Sequence, residues 1–524
     1  MKKNAILLLA MSLGLSLASG CSTGKSTTGE PSGKPASASP SAASSASPTA
    51  SAPLTKHTFS LITESNSSWP YSADWPAWKW IEEKTGAKLN VTIPPGKMDD
   101  AINLAVASGE MPDLLIVKEL QQANKFGQQG AFVNILDYKK DMPNFVKWME
   151  KYPDITRAQL AADGKLYQFP NQGFGETNRT IWMYREDIFK KNNLKTPANY
   201  EELYQVAKKL KELYPDSYPL TFRISSNRLQ VLNYISANFG TFDKFFLDKD
   251  TKNVRFGPVE PEFRTMIEYM NKFYKEGLIP PDFLSLETKP WQDMMAAGKS
   301  FITIDYIGRI DFFNLAVRKD NPSYNLAFMP PPAGGPKGKQ QNAYTQVVAG
   351  GFAVSSKSKQ ISDIMKFIDY FYSEDGKLLA SWGKEGETYT VENGKKKMKA
   401  DIVDVTDLRK KTGLATYGTY TWIDYDAHLS LSSKELQAAY AEAPKYDSYY
   451  KTSPAFTDSE QEVVSTTEAA VIKSRDENIS KFILGERPLS EWDQYVAEQK
   501  KLGLDKLLQM YKTAYDRSEK TVLK

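Results

Sequence analysis

The spacing of apolar residues changes period repeatedly from residue 58 onward. Residues 58–63 (TFSLIT) alternate as a strand does, residues 75–84 space their apolar groups as a helix, and residues 89–93 alternate again. Strand, helix and strand make a βαβ unit, whose crossover is right-handed. A helix over 97–108 stops at Gly109, and Met111-Pro112-Asp113 leads into the apolar run 114–117, a third strand. The loop 64–71 (ESNSSWPY) follows the first strand.

The chain then turns on residues 164–210. Tyr167-Gln168-Phe169-Pro170 reads as a short strand closed by a proline, which has no N–H to give a ladder. Asn171, Gly173, Gly175 and Asn178 supply turn chemistry. Residues 180–184 (TIWMY) alternate as a second strand, and a helix over 201–213 follows the Thr196-Pro197 turn. Further on, a hairpin is predicted over 248–256 with Lys249-Asp250 in its turn, and a long helix over 260–277. After these come Gly298-Lys299 with an apolar strand over 300–306, and a buried strand over 346–355 opening on Gly350-Gly351. Helices over 361–372, 464–484 and 490–515 complete the pattern.

Composition changes the picture at the amino end. Residues 5–17 form an apolar stretch behind Lys2 and Lys3, too short to span a bilayer, and read as a signal sequence. It ends in Leu17-Ala18-Ser19-Gly20-Cys21, which resembles a bacterial lipobox with Cys21 as the lipid anchor. Cys21 is the only cysteine, so no internal disulfide or cysteine-based zinc cluster can form. Residues 22–56 are a Ser/Ala/Pro run that cannot build a core and would reach on the order of 30 Å as a coil. A formal charge of +4 implies no nucleic-acid partner.

Three phrases carry a resemblance: Gly164-Lys165-Tyr167-Pro170 followed by Tyr184-Asp187-Phe189, Ser108-Gly109-Pro112-Asp113, and Trp382-Gly383-Glu385-Gly386-Tyr389. Together they resemble the large sugar-binding branch (maltose- and alginate-binding-like) of the extracellular solute-binding proteins of ABC importers, in consistent order over roughly residues 58–520. The resemblance implies an α/β, two-lobed, type II periplasmic-binding-protein-like fold, each lobe a mixed sheet flanked by helices and joined by hinge strands. It places residues 57–180 and 347–400 in an N-terminal lobe, and 181–346 and 401–524 in a C-terminal lobe. It further implies an oligosaccharide ligand, partner permease subunits, a lipid-anchored position on the outer face of the cell membrane, and a monomer.

Sugar C–H faces pack on aromatic rings, so the expected ligand-binding residues are Trp69, Tyr71, Phe174, Trp182, Tyr306, Trp382 and Trp422, with Arg179 and Arg309 as forks for a uronate carboxylate. Trp75 and Trp78 are expected to pack in the first helix. Asp305 joins Tyr306 and Arg309 as a candidate, since ligands sit outside the carboxyl ends of open-sheet strands. Trp182→Ala and Trp382→Ala are expected to weaken binding without unfolding. No cofactor is expected, nor a metal: related proteins place a calcium loop near residues 214–219, and Asp216 and Ser217 supply too few oxygens. No nucleophile, zinc or nucleotide motif appears among the two histidines, His57 and His428, or the glycine-rich pieces, and no catalytic residue is expected. Two alternatives stand beside sugar capture: a peptide- or small-solute-binding lipoprotein on the same scaffold, and a surface glycoside hydrolase.

Overall fold

The computed structural model describes residues 55–172, 179–224, 229–343, 348–448 and 453–520. Among them the strands are β1 (His57–Ile62), β2 (Ala87–Thr92), β3 (Leu114–Val117), β4 (Asn171–Gln172), β5 (Thr180–Arg185), β6 (Leu220–Thr221), β7 (Phe245–Leu247), β8 (Val254–Phe256), β9 (Ile302–Tyr306), β10 (Leu326–Phe328), β11 (Val348–Ala349), β12 (Gly351–Val354), β13 (Tyr389–Glu392) and β14 (Lys395–Met398). The fold is α/β, with two principal sheets.

The first sheet has the order β12-β3-β1-β2, with β1 parallel to both neighbours and β12 antiparallel to β3. Its three parallel strands come from the βαβ pattern, the helices Pro76–Thr85 and Met98–Ser108 serving as crossovers. Each of these helices ends on a left-handed glycine, Gly86 and Gly109, the residue that takes that conformation without a Cβ clash. Phe59, Leu61, Leu114–Val117 and Phe352–Val354 form one core with Trp80, Phe145, Trp148 and Phe169.

The second sheet has the order β10-β5-β9-β6, antiparallel except for β6 beside β9. β5 lies inside it, and its alternation sorts residues to two covered faces. Trp182 packs with Tyr200, Phe222 and Phe239, while Ile181 and Met183 pack with Trp291, Phe313 and Tyr324. The closing helices Ala469–Leu484 and Trp492–Lys501 cover the first of these faces. The hairpin of β7 and β8 packs on Leu504–Lys520 in a separate cluster.

Two crossings between the sheets lie side by side. β4 pairs antiparallel with β11, and the Gln172 amide donates to the Thr421 carbonyl at 2.7 Å. Gly350 and Gly351 permit this approach: a Cβ on Gly351 would fall 2.4 Å from the Phe169 carbonyl oxygen, and one on Gly350 2.2 Å from that of Val117. The strand expected over 167–170 is not formed. Phe169 donates one backbone bond to Phe352, Pro170 interrupts, and pairing resumes at Asn171.

The lobe boundary expected at residue 401 also needs correction. Ile402, Leu408, Leu414 and Ala427 belong to the first core, whereas Leu436, Ala439 and Ala443 pack on the second sheet. Hydrophobic burial holds the segment 402–427 with the first lobe, so the chain changes sides beyond Ala427.

Candidate functional site at the carboxyl edges of the sheets

β6 and β9 run parallel, so Arg223 and Asp305–Tyr306 emerge at one edge of the second sheet. There Asp305, 3% exposed in its side chain, receives four N–H groups. The Arg223 guanidinium donates through Nε to Oδ2 and through Nη2 to Oδ1 at 3.2 Å. Arg309 Nε donates to Oδ1 at 2.9 Å, and the Tyr306 amide at 2.8 Å. Beneath them lies the Trp291 ring, with the two guanidinium carbons 5.7 and 5.4 Å from its centroid. Desolvation and the nearby Tyr306 and Asp305 push the Tyr234 phenol up, so it stays protonated. Tyr306 is 36% exposed beside this cluster.

Arg179 precedes β5 and its carbonyl accepts from the Ile307 amide at 2.7 Å, so it belongs to the same edge. It is buried and ion-paired with Asp447, which neutralises its charge; it is not the open fork expected from sequence. Asn342 bridges to Asp447 through the backbone, and its carbonyl accepts from Ser448. The Asn342 amide and the Ser448 hydroxyl are buried without a hydrogen-bond partner.

The carboxyl edge of the first sheet holds a pocket of about 490 Å³ lined by Glu64, Ser65, Ile93, Pro94, Lys97 and Lys118. Lys118 Nζ meets Glu64 at 2.7 Å. A pocket of about 330 Å³ opens at the opposite edge of that sheet, among His57, Lys84, Asp363 and Tyr370. The carboxyl edge carries more weight, because successive crossover loops of parallel strands converge there.

Among the described residues, Tyr306 is the most exposed of the expected aromatic platforms at 36%, and Trp69, Tyr71 and Trp422 are part-buried. Trp182 is 1% exposed, edge-on to Tyr200 and Phe222, so both ring faces meet protein. Trp382 is 3% exposed, packs on Tyr389 and donates Nε1 to Asp424 at 2.8 Å. Both are core residues, against expectation. The Trp422 ring has ammonium groups over it, Lys377 at 4.1 Å and Lys151 at 5.4 Å. Trp69 has the Arg409 guanidinium at 4.5 Å, and Tyr71 lies against Trp75 and Trp78. Trp75 and Trp78 do pack in the first lobe, as expected. Arg309 stays at the site, and Phe174 lies outside the described residues.

Sequence reasoning missed Arg223, Asn342 and Ser448. β6 is two residues long and shows no period, so nothing marked Arg223 as the end of a strand. Among the described residues no three His, Cys, Asp or Glu side chains gather to hold a metal, and no helix is long and apolar enough to cross a membrane. In the loop after Tyr200–Leu213, the Ser217 carbonyl accepts from Lys211 Nζ at 2.7 Å, a cation the chain itself supplies.

This architecture, two mixed sheets joined by paired crossings with polar groups at the carboxyl edges, is that of a solute-binding protein. The sequence pattern of the family described as bacterial extracellular solute-binding protein matches residues 62–378, and the chain belongs to that family. It is similar to the polygalacturonan/rhamnogalacturonan-binding protein YtcQ of Bacillus subtilis, 25% identical over 84% of this chain and 88% of the relative. It is also similar to the fructooligosaccharide ABC transporter substrate-binding protein FusA of Streptococcus pneumoniae, 24% identical over 88% of this chain and 90% of the relative. The crystal structure of the alginate-binding protein AlgQ2 without calcium superimposes with a TM-score of 0.72 at 26% identity, covering 88% of this chain and 98% of that one.

Proposed function

We propose that the protein captures an oligosaccharide between the carboxyl edges of its two sheets and delivers it, unaltered, to the permease of an ABC transporter. The observation that carries this reading is the buried, unpartnered amide of Asn342 and hydroxyl of Ser448 next to Asp447 of the Arg179–Asp447 pair. A buried polar group without a partner costs about 1–3 kcal/mol, which a ligand hydroxyl restores. The sugars named for YtcQ and FusA, and the alginate named for AlgQ2, support a carbohydrate for this chain too. The paired crossings β4 and β11 are short and glycine-flanked, the form of a hinge that closes the lobes on a solute. Cys21 is the lipid anchor in this reading and residues 22–56 the tether, placing the protein on the outer face of the cell membrane as a monomer.

Thermal-shift and calorimetric titration of the full chain with plant- and bacterial-wall oligosaccharides tests the capture. A bound sugar at a hundred times its Kd stabilises by about 2.7 kcal/mol, and the sugar should be recovered intact. Stabilisation by peptides alone would transfer the scaffold to the peptide-binding class, and shortened products would make the protein a hydrolase. Cys21→Ser should release the protein from the membrane fraction.

A further inference from the structure

At the second-sheet edge the Asp305 carboxylate is buried among donors. Four N–H groups converge on its carboxylate, three on Oδ1 and one on Oδ2. With a side chain 3% exposed, it has no face left for a ligand hydroxyl to donate to. Arg309 contributes only Nε to that arrangement; its two terminal nitrogens meet no hydrogen-bond acceptor among the described residues. Arg309 lies three residues beyond the exposed Tyr306, and its guanidinium is steadied over Trp291 and Phe312 at 5.4 and 5.2 Å.

Charge points the same way. Two guanidiniums, Arg223 and Arg309, meet one carboxylate, Asp305. One positive charge is left over within this cluster. Arg309 also opens the helix Arg309–Val317, whose amino end adds partial positive charge in the same place. A neutral sugar hydroxyl would leave that charge unmatched; a planar carboxylate accepts two parallel N–H bonds from a guanidinium end.

We propose that this edge selects an acidic oligosaccharide, seating a uronate carboxylate on the terminal nitrogens of Arg309 with the sugar ring on Tyr306. The inference rests on the sugar-capture reading and narrows it: Arg309 is the specificity-determining residue, and Asp305 and Arg223 position it.

The test titrates the full chain with oligogalacturonate, oligoalginate and glucuronate-bearing xylo-oligosaccharide, each beside its carboxyl-reduced counterpart and a sulfated oligosaccharide. At least one uronate should bind about tenfold or more tighter than its reduced form, the weight of one hydrogen bond to a charged group. That preference should shrink as ionic strength rises from about 0.05 to 0.5 M. R309Q should bring the acid-to-reduced affinity ratio down to about one, and R309K should retain part of the preference. Should R309Q fail to fold, the acid-to-reduced ratio and its salt dependence in the unsubstituted chain still decide. Reduced or sulfated sugars bound as well as uronates, or a preference surviving in R309Q, would overturn the inference and leave sugar capture standing. No saccharide bound at all would end both.

Discussion

The two sheets end in edges of like topology and unlike chemistry. At the first, cations are absorbed by the protein: Lys118 meets Glu64, and Arg409 lies on Trp69. Burial there pulls the Arg409 guanidinium down to about 10 and, with Arg409 nearby, pulls the His428 imidazole down to about 3. At the second edge, Arg223 and Arg309 share one carboxylate, Asp305, and the terminal nitrogens of Arg309 meet no acceptor among the described residues. The difference suits a scaffold that divides its labour. In the reading proposed above, the first edge gives shape, while the charged second edge with its open fork gives selection.

The largest effect that could break this comparison is Trp182→Ala. Truncating a tryptophan packed on both faces at the centre of the second sheet should cost about 3–5 kcal/mol, read as a lower denaturant midpoint. Trp382→Ala should behave alike in the first lobe, where the indole also holds Asp424. Both reverse the expectation that these changes spare the fold. Intact stability with lost binding would return the rings to the ligand. Next comes Asp305→Asn, which leaves two guanidiniums sharing no carboxylate. Breaking a buried pair in this way costs about 3–5 kcal/mol, and the melting temperature should fall accordingly.

A smaller effect separates the edges by pH. His428 is buried with neither ring nitrogen hydrogen-bonded. Its folded pKa of about 3 lies below the ordinary 6.5, so between these values the unfolded chain binds the extra proton. Its contribution is whole above pH 6.5 and is lost as pH falls toward 3. From pH 7 to pH 5 the loss is on the order of 2 kcal/mol, measurable by chemical denaturation. His428→Leu should flatten that part of the profile; an unchanged slope would show that the imidazole is not held neutral.

Which parts were legible follows from how far each signal reaches. The βαβ run of the first sheet is a local periodicity and stands where the pattern put it, whereas the hairpin near residue 250 begins earlier, at Phe245, and the helix expected over 490–515 divides into Trp492–Lys501 and Leu504–Lys520. The Gly350-Gly351 pair marked a close approach that the crossing needs. Aromatic roles were not legible. The alternation of β5 separates Trp182 from Ile181 and Met183, yet it cannot tell that the strand is interior with both faces covered. Ionic partners were equally hidden: Arg179 finds Asp447, and Arg223 finds Asp305, across separations no motif spans. Residues 402–427 join the first core through tertiary packing alone.

The smallest effect on stability belongs to the residue the comparison weights most for binding. Tyr306 is 36% exposed, its ring covered in part by Arg223 at 5.7 Å, and its removal opens no core cavity. Tyr306→Ala should therefore change stability by about 0.5 kcal/mol or less. A sugar stacked on the ring would lose about 0.5–1.5 kcal/mol of aromatic contact, or roughly three- to tenfold in affinity. Tyr306→Phe keeps the face and should keep most of that affinity, which separates stacking from hydrogen bonding by the hydroxyl. Equal losses in both variants would mean the hydroxyl, and not the ring, meets the ligand. No loss in either would shift recognition to the first edge, and the division of labour would then run the other way.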